Sequence, residues 1–69
     1  KIIPGSGGLR KLRWSAGGHG KSGGIRVIYY WFVAKDVILL LFSYPKNEQD
    51  NLTQEQLKQL RKIIEGEYL

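Results

Sequence analysis

Twenty residues, 25–44 (IRVIYYWFVAKDVILLLFSY), constrain this chain more than any other stretch. They read as two β-strands joined by a tight turn at Ala34-Lys35. The first, over 25–33, is almost wholly β-branched and aromatic, the residue types that fit a pleated, half-buried surface. The second, over 37–44, is apolar at nearly every position, which predicts that both of its faces are covered. Arg26 breaks the pattern, because a guanidinium is costly to bury without a partner. Side chains alternate along a strand, so Arg26 shares a face with Ile28, Tyr30 and Phe32. Ile25, Val27, Tyr29 and Trp31 take the other face.

A chain of 69 residues makes one small domain, spanning 1–69. Such a domain buries only about 60% of its unfolded surface and usually needs a staple or a partner. The sequence has no cysteine and one histidine, His19. A disulfide framework is therefore excluded and a His-based zinc site is disfavoured. These absences fit a reducing, cytoplasmic setting. No secretory signal is visible, and the apolar runs are strand-length and interrupted by Arg26, Lys35 and Asp36, which argues against a membrane span. The opening KIIPGSGG, without an initiating methionine, is expected of a fragment truncated at its N-terminus.

Charge is unevenly placed. The net value is +5, yet residues 1–26 hold Lys1, Arg10, Lys11, Arg13, Lys21 and Arg26 and no acid, while residues 27–69 together net −1. Excess positive charge confined to the first third of a chain is the footprint of a polyanion-binding surface.

The rest of the chain surrounds the hairpin. Residues 1–8 read as a connector broken by Pro4, Gly5, Gly7 and Gly8. Residues 9–14 (LRKLRW) form a strand candidate with Leu9, Lys11 and Arg13 on one face and Arg10, Leu12 and Trp14 on the other. Residues 15–24 (SAGGHGKSGG) read as a flexible hairpin connection in which Lys21 and His19 could close over nucleic acid. Gly20-Lys21-Ser22 imitates the end of a phosphate-binding loop. The first glycine of that pattern would fall on Ser15, however, and a strand follows where the phosphate-holding helix should begin, so that reading is rejected. After a polar turn over 45–51, residues 52–65 carry explicit helix punctuation. Thr53 is the N-cap and Gln56 completes a capping box, with Leu52 and Leu57 as a hydrophobic staple. Leu57, Leu60 and Ile64, flanked by Ile63, make the apolar stripe, and Gly66 is a natural stop. Glu55 near the start and Arg61 and Lys62 near the end suit the helix dipole.

The predicted fold class is α+β: an antiparallel meander of about three strands followed by one C-terminal helix. One helix cannot shield Trp14, Tyr29, Tyr30, Trp31, Phe32, Leu39, Leu41 and Phe42 together. Another segment, a second copy or a partner protein is expected to cover the remainder.

The order GGLRKLRW, a glycine- and lysine-rich loop, GGIRVIYYW, an apolar strand ending in SYPKNEQDNLT, and QLKQLRKIIE resembles the C-terminal part of the RelE/ParE superfamily of toxins, closest to its HigB-like subgroup. The resemblance covers nearly the whole chain. It implies a RelE-like fold lacking its N-terminal strand and two helices. It also implies a ribosome-dependent endoribonuclease, free of cofactors, that cleaves mRNA by attack of the ribose 2′-hydroxyl on the adjacent phosphate. The implied partners are a cognate antitoxin, the ribosome and mRNA. Carried over by position, Arg26 matches the arginine used near the scissile phosphate, Lys11 and Arg13 match basic positions of the preceding strand, and Lys46 matches the basic position after the last strand. Arg26, with Lys11 and Lys46, is the candidate catalytic set. Arg10, Arg13, Lys21 and Tyr44 are the candidate RNA-binding residues. Asn47 and Thr53 stand where some relatives have arginine or histidine and tyrosine, and Tyr44 is a rough stand-in for the latter. Two rival readings follow from the residues. One is a non-catalytic superfamily relative or interaction module, with Arg26 paired to a carboxylate such as Glu48. The other is a fragment whose exposed sheet drives self-association.

Overall fold

The computed structural model describes residues 2–14 and 24–68. Three strands, β1 (Arg10–Trp14), β2 (Ile25–Phe32) and β3 (Val37–Pro45), are followed by a helix, α1 (Gln54–Ile63). The strands pair antiparallel in the order β1-β2-β3, so the arginine-bearing strand is central. The expected meander with a C-terminal helix is the observed fold. His19, Lys21 and the 20–22 triplet lie outside the described residues.

The β2–β3 connection is a 3-10 turn, Val33–Lys35, closed by Asp36 in the left-handed region at φ 54°. Asp tolerates that conformation better than most side chains, and its amide bonds back to the Val33 carbonyl at 3.2 Å. Strand β2 thus ends at Phe32, one residue before the end predicted for it, and the turn begins at Val33. Register then fixes the two sheet faces. Arg13 and Tyr44 lie opposite Arg26 on its two neighbours, and Lys11 lies opposite Ile28. Ile28 pairs with Phe42 but Tyr29 pairs with Leu40, which leaves Leu41 as an extra residue in a β-bulge.

Helix α1 starts as its punctuation predicts. Thr53 Oγ1 accepts from the Gln56 amide at 3.1 Å, and Gln56 Oε1 accepts from the Thr53 amide at 3.0 Å. Leu60 and Ile64 pack against Leu9, Ile28 and Tyr44 to form the core, with Leu52 and Leu57 half-buried beside it. Ile63 is exposed. Gly66 does not stop the chain. It is carried inside a π-helical turn, Ile64–Tyr68, that widens the end of the helix and leaves Ile64 in the core.

Two further expectations need correction. Within the expected 1–8 connector, residues 2–8 form a defined turn: the Ile3 amide bonds to the Leu9 carbonyl at 2.8 Å, and Ile2 bridges to Arg10. Ser6 is fully buried there, donating to the Ile3 carbonyl at 2.5 Å and accepting from the Leu9 amide at 3.0 Å. Second, β3 is not covered on both faces. It is an edge strand, and among the described residues its only helical neighbour lies on the Tyr44 side, so Ile38 and Leu40 are 57% and 69% exposed. Leu12, Trp14 and Trp31 are exposed on the same outer face. The excess of large apolar groups foreseen for one helix is therefore present as an open sheet face.

Candidate active site

The helix-covered face changes character along its length. Leu9 and Ile28 meet the helix, but one step toward the β1 C-terminus the row across the sheet is Arg13, Arg26 and Tyr44. The strand alternation that buries Ile28 therefore turns Arg26 inward as well. Arg26 is only 6% exposed, and its Nη1 has no hydrogen-bond partner among the described residues. No described carboxylate forms an ion pair with it, Glu48 included. Gly24, at φ 114°, leaves room beside this guanidinium, because a Cβ there would stand 3.8 Å from Nη1 and 3.3 Å from the Trp14 carbonyl oxygen.

A cleft of about 490 Å³ opens at this corner, lined by Lys11, Leu12, Arg13, Arg26, Asp50 and Asn51. Three cations thus face one carboxylate. Like charges directly opposite on adjacent strands repel, as Arg13 and Arg26 do here. An anion between them relieves that repulsion and gives the buried nitrogen an acceptor.

The opposing wall comes from the turn after β3. The Lys46 amide donates to the Gly24 carbonyl at 3.1 Å, and the Glu48 amide to the Pro45 carbonyl at 3.1 Å. Tyr44 is buried, and its hydroxyl donates to the Asp50 carbonyl at 3.3 Å. Burial holds that hydroxyl above the ordinary tyrosine value; nearby Arg26 opposes the shift and Asp50 reinforces it. Lys11 Nζ donates to Asn51 Oδ1 at 3.0 Å across the cleft.

The sequence-derived set therefore divides. Lys11, Arg13 and Arg26 converge in the cleft, and Tyr44 sits beneath it. Lys46 is exposed at the same end of the sheet but does not line the cleft. Arg10 belongs to the opposite face, its guanidinium 5.3 Å from the centre of the Trp31 ring. Asp50 and Asn51 were not singled out as cleft residues. The signal for them lay in the helix punctuation, since a cap at Thr53 fixes where the preceding residues turn back toward the sheet.

Fold and cleft together define a small α+β protein with a cationic corner on the helix-covered side of an otherwise open sheet. Among protein-family models, that of the RelE toxin of the RelE/RelB toxin–antitoxin system matches residues 5–68, and the chain belongs to this family. It is accordingly the toxin component of a toxin–antitoxin system, with an antitoxin as its partner. No helix among the described residues is long and apolar enough to cross a membrane.

Proposed function

We propose that this toxin is a ribosome-dependent endoribonuclease acting on mRNA in the cytoplasm, of the HigB-like branch that the KNE triplet at 46–48 suggests. The observation that carries the reading is Arg26, buried and with its Nη1 lacking a partner among the described residues, in a cleft it shares with Lys11 and Arg13. In the reaction the ribose 2′-oxygen bonds to the adjacent phosphorus as its proton leaves. The bond from phosphorus to the 5′-oxygen breaks, and that oxygen gains a proton, leaving a 2′,3′-cyclic phosphate and a 5′-hydroxyl. The phosphorane carries more negative charge than the ground-state diester. A guanidinium fixed in a partly desolvated corner stabilises that added charge without reorganising. Lys11 supplies a second cation, Arg13 and the exposed Lys46 engage flanking phosphates, and Tyr44, protonated at neutral pH, holds the turn that forms the far wall.

The test compares Arg26→Lys and Arg26→Ala in ribosome-dependent mRNA cleavage, with melting temperature measured on the same preparations. Arg26→Lys is expected to lose most cleavage while retaining most RNA binding, because a point charge cannot replace a planar forked donor. Near-normal cleavage by both variants would remove Arg26 from the mechanism. The open outer face, with Trp14, Ile38 and Leu40 exposed, also supports self-association of the chain. Light scattering at micromolar concentration should therefore show a dimer or larger species rather than a monomer.

A further inference from the structure

Three of the six residues lining the cleft are cations, one is apolar and one is a neutral amide; the sixth is Asp50. The cleavage proposed above needs a group that takes the 2′-hydroxyl proton as that oxygen closes on phosphorus, and the cations assigned so far do not supply it. Lysine and arginine ordinarily carry their protons at neutral pH, and a leucine or a primary amide accepts none. A carboxylate ordinarily stands ready to accept one. Of the described carboxylates, Asp50 is the one that lines the cleft. Asp36 closes the β2–β3 turn, Glu48 lies outside the lining, and Glu55, Glu65 and Glu67 belong to α1 and its π-helical end.

Asp50 sits on a held stretch of main chain. Its carbonyl accepts from the Tyr44 hydroxyl at 3.3 Å, and Tyr44 is the cross-strand partner of Arg26. On the helix side, Gln49 Nε2 donates to the Asn51 carbonyl at 3.0 Å and to Gln56 Oε1 at 2.9 Å, an oxygen of the capping box of α1. The residue itself is exposed, so its carboxylate is open to a ligand in the cleft. The Tyr44 hydroxyl feels the charges of both Arg26 and Asp50, which puts guanidinium and carboxylate near one fixed atom, yet the two form no ion pair. A direct pair would silence both groups. Held apart in a cleft of about 490 Å³, one can meet a phosphate and the other the ribose beside it.

We infer that Asp50 is the general base of the cleft, taking the 2′-hydroxyl proton of the RNA while Arg26 stabilises the phosphorane. The inference rests on the cleavage reading above. In the step, the bond from the 2′-oxygen to hydrogen breaks and the proton passes to a carboxylate oxygen of Asp50. The electron pair left behind forms the bond from the 2′-oxygen to phosphorus. The bond from phosphorus to the 5′-oxygen breaks with its electrons on oxygen, which takes a proton from water, and Asp50 returns its own proton to the hydroxide so formed.

Asp50→Asn keeps the size of the side chain and removes the proton acceptor. General-base catalysis contributes about 10²–10⁴-fold, so single-turnover, ribosome-dependent cleavage by the full chain is expected to slow at least about a hundredfold. Affinity for a short single-stranded RNA, measured by anisotropy, should hold or rise, because a negative charge has left a cationic cleft. Melting temperature should move little, since Tyr44 holds the Asp50 carbonyl and not its carboxylate. Near-normal cleavage by Asp50→Asn, or a loss that follows a loss of affinity or of folding, overturns the assignment. An mRNA with sulfur in place of the 5′-oxygen at the cleaved linkage separates base from acid, because a thiolate leaves without being protonated. The Asp50→Asn defect is expected to persist on that substrate; its disappearance would make Asp50 the acid and overturn the proposal. If Asp50→Asn cleaves normally while Arg26→Lys does not, this assignment alone fails. If the wild-type chain yields no cyclic phosphate, the cleavage reading fails and this assignment falls with it.

Discussion

If Arg26 acts as proposed, it is expected to set stability against function, and Arg26→Met measures that opposition. The guanidinium is 6% exposed and one of its nitrogens has no partner among the described residues. Leaving a buried donor unsatisfied costs about 1–3 kcal/mol. The like-charged Arg13 directly across the strand pair adds about 0.2–1 kcal/mol. Methionine keeps an unbranched stem of similar reach and removes both penalties. The variant is therefore expected to be more stable than the wild type by at least about 1 kcal/mol. For a domain of this size that raises Tm by about 4–8 °C. RNA binding and cleavage should fall together in the same preparation. Inorganic phosphate supplies the control: at 100 times its Kd it should stabilise the wild type by about 2.7 kcal/mol and leave the methionine variant unmoved. A variant that melts below the wild type, or that phosphate still stabilises, would refute the reasoning, since the guanidinium would then be satisfied scaffold.

Three further outcomes follow from the same geometry. RNA affinity measured by anisotropy should fall with salt at a log–log slope of about −0.7 per phosphate contacted, and Arg13→Ala should flatten it by about one contact. Because the folded Tyr44 hydroxyl titrates above its unfolded value, its contribution is fully present below about pH 10 and is lost as pH rises toward the folded value. The gap between wild-type and Tyr44→Phe urea midpoints should therefore be constant from pH 8 to pH 9.5 and shift against the wild type above that. Thr53→Ala removes the cap of α1 and should cost about 1 kcal/mol, read as a lower midpoint with an unchanged urea slope.

Much of this was legible in the sequence because local chemistry agreed with the fold. The capping residues at Thr53 and Gln56 left little freedom in where α1 begins, and the alternation around Arg26 assigned its face. The clustering of Lys11, Arg13 and Arg26 followed from that alternation once strand register was known, and register is a tertiary fact. Arg10 was grouped with the RNA-binding residues by charge, although strand alternation had already set it on the face opposite Lys11 and Arg13, where it lies against Trp31. Ser6 was illegible for a different reason. A serine among glycines is ordinarily exposed, and only the fold-back of Ile2 and Ile3 onto the first strand buries it. The apolar run of β3 misled because an uninterrupted hydrophobic pattern is the same for a strand covered on both faces and for an edge strand left open on one.

The bulge at Leu41 carries a genetic consequence. Residues 39–41 are three consecutive leucines, so loss of any one of their codons yields the same protein. In that product the extra residue disappears and alternation becomes strict. Residues 37 and 39 keep their side of the sheet, and Phe42 and Tyr44 keep theirs, because the bulge had already absorbed the change of phase. Elsewhere in the sheet, a one-codon deletion would send every later side chain of its strand to the wrong face. Here it is expected to cost only the core contact of Leu41, leaving a chain that still melts cooperatively with Tyr44 beside Arg26. At this one place, the most hydrophobic strand can lose a residue without inverting the faces of the side chains that follow.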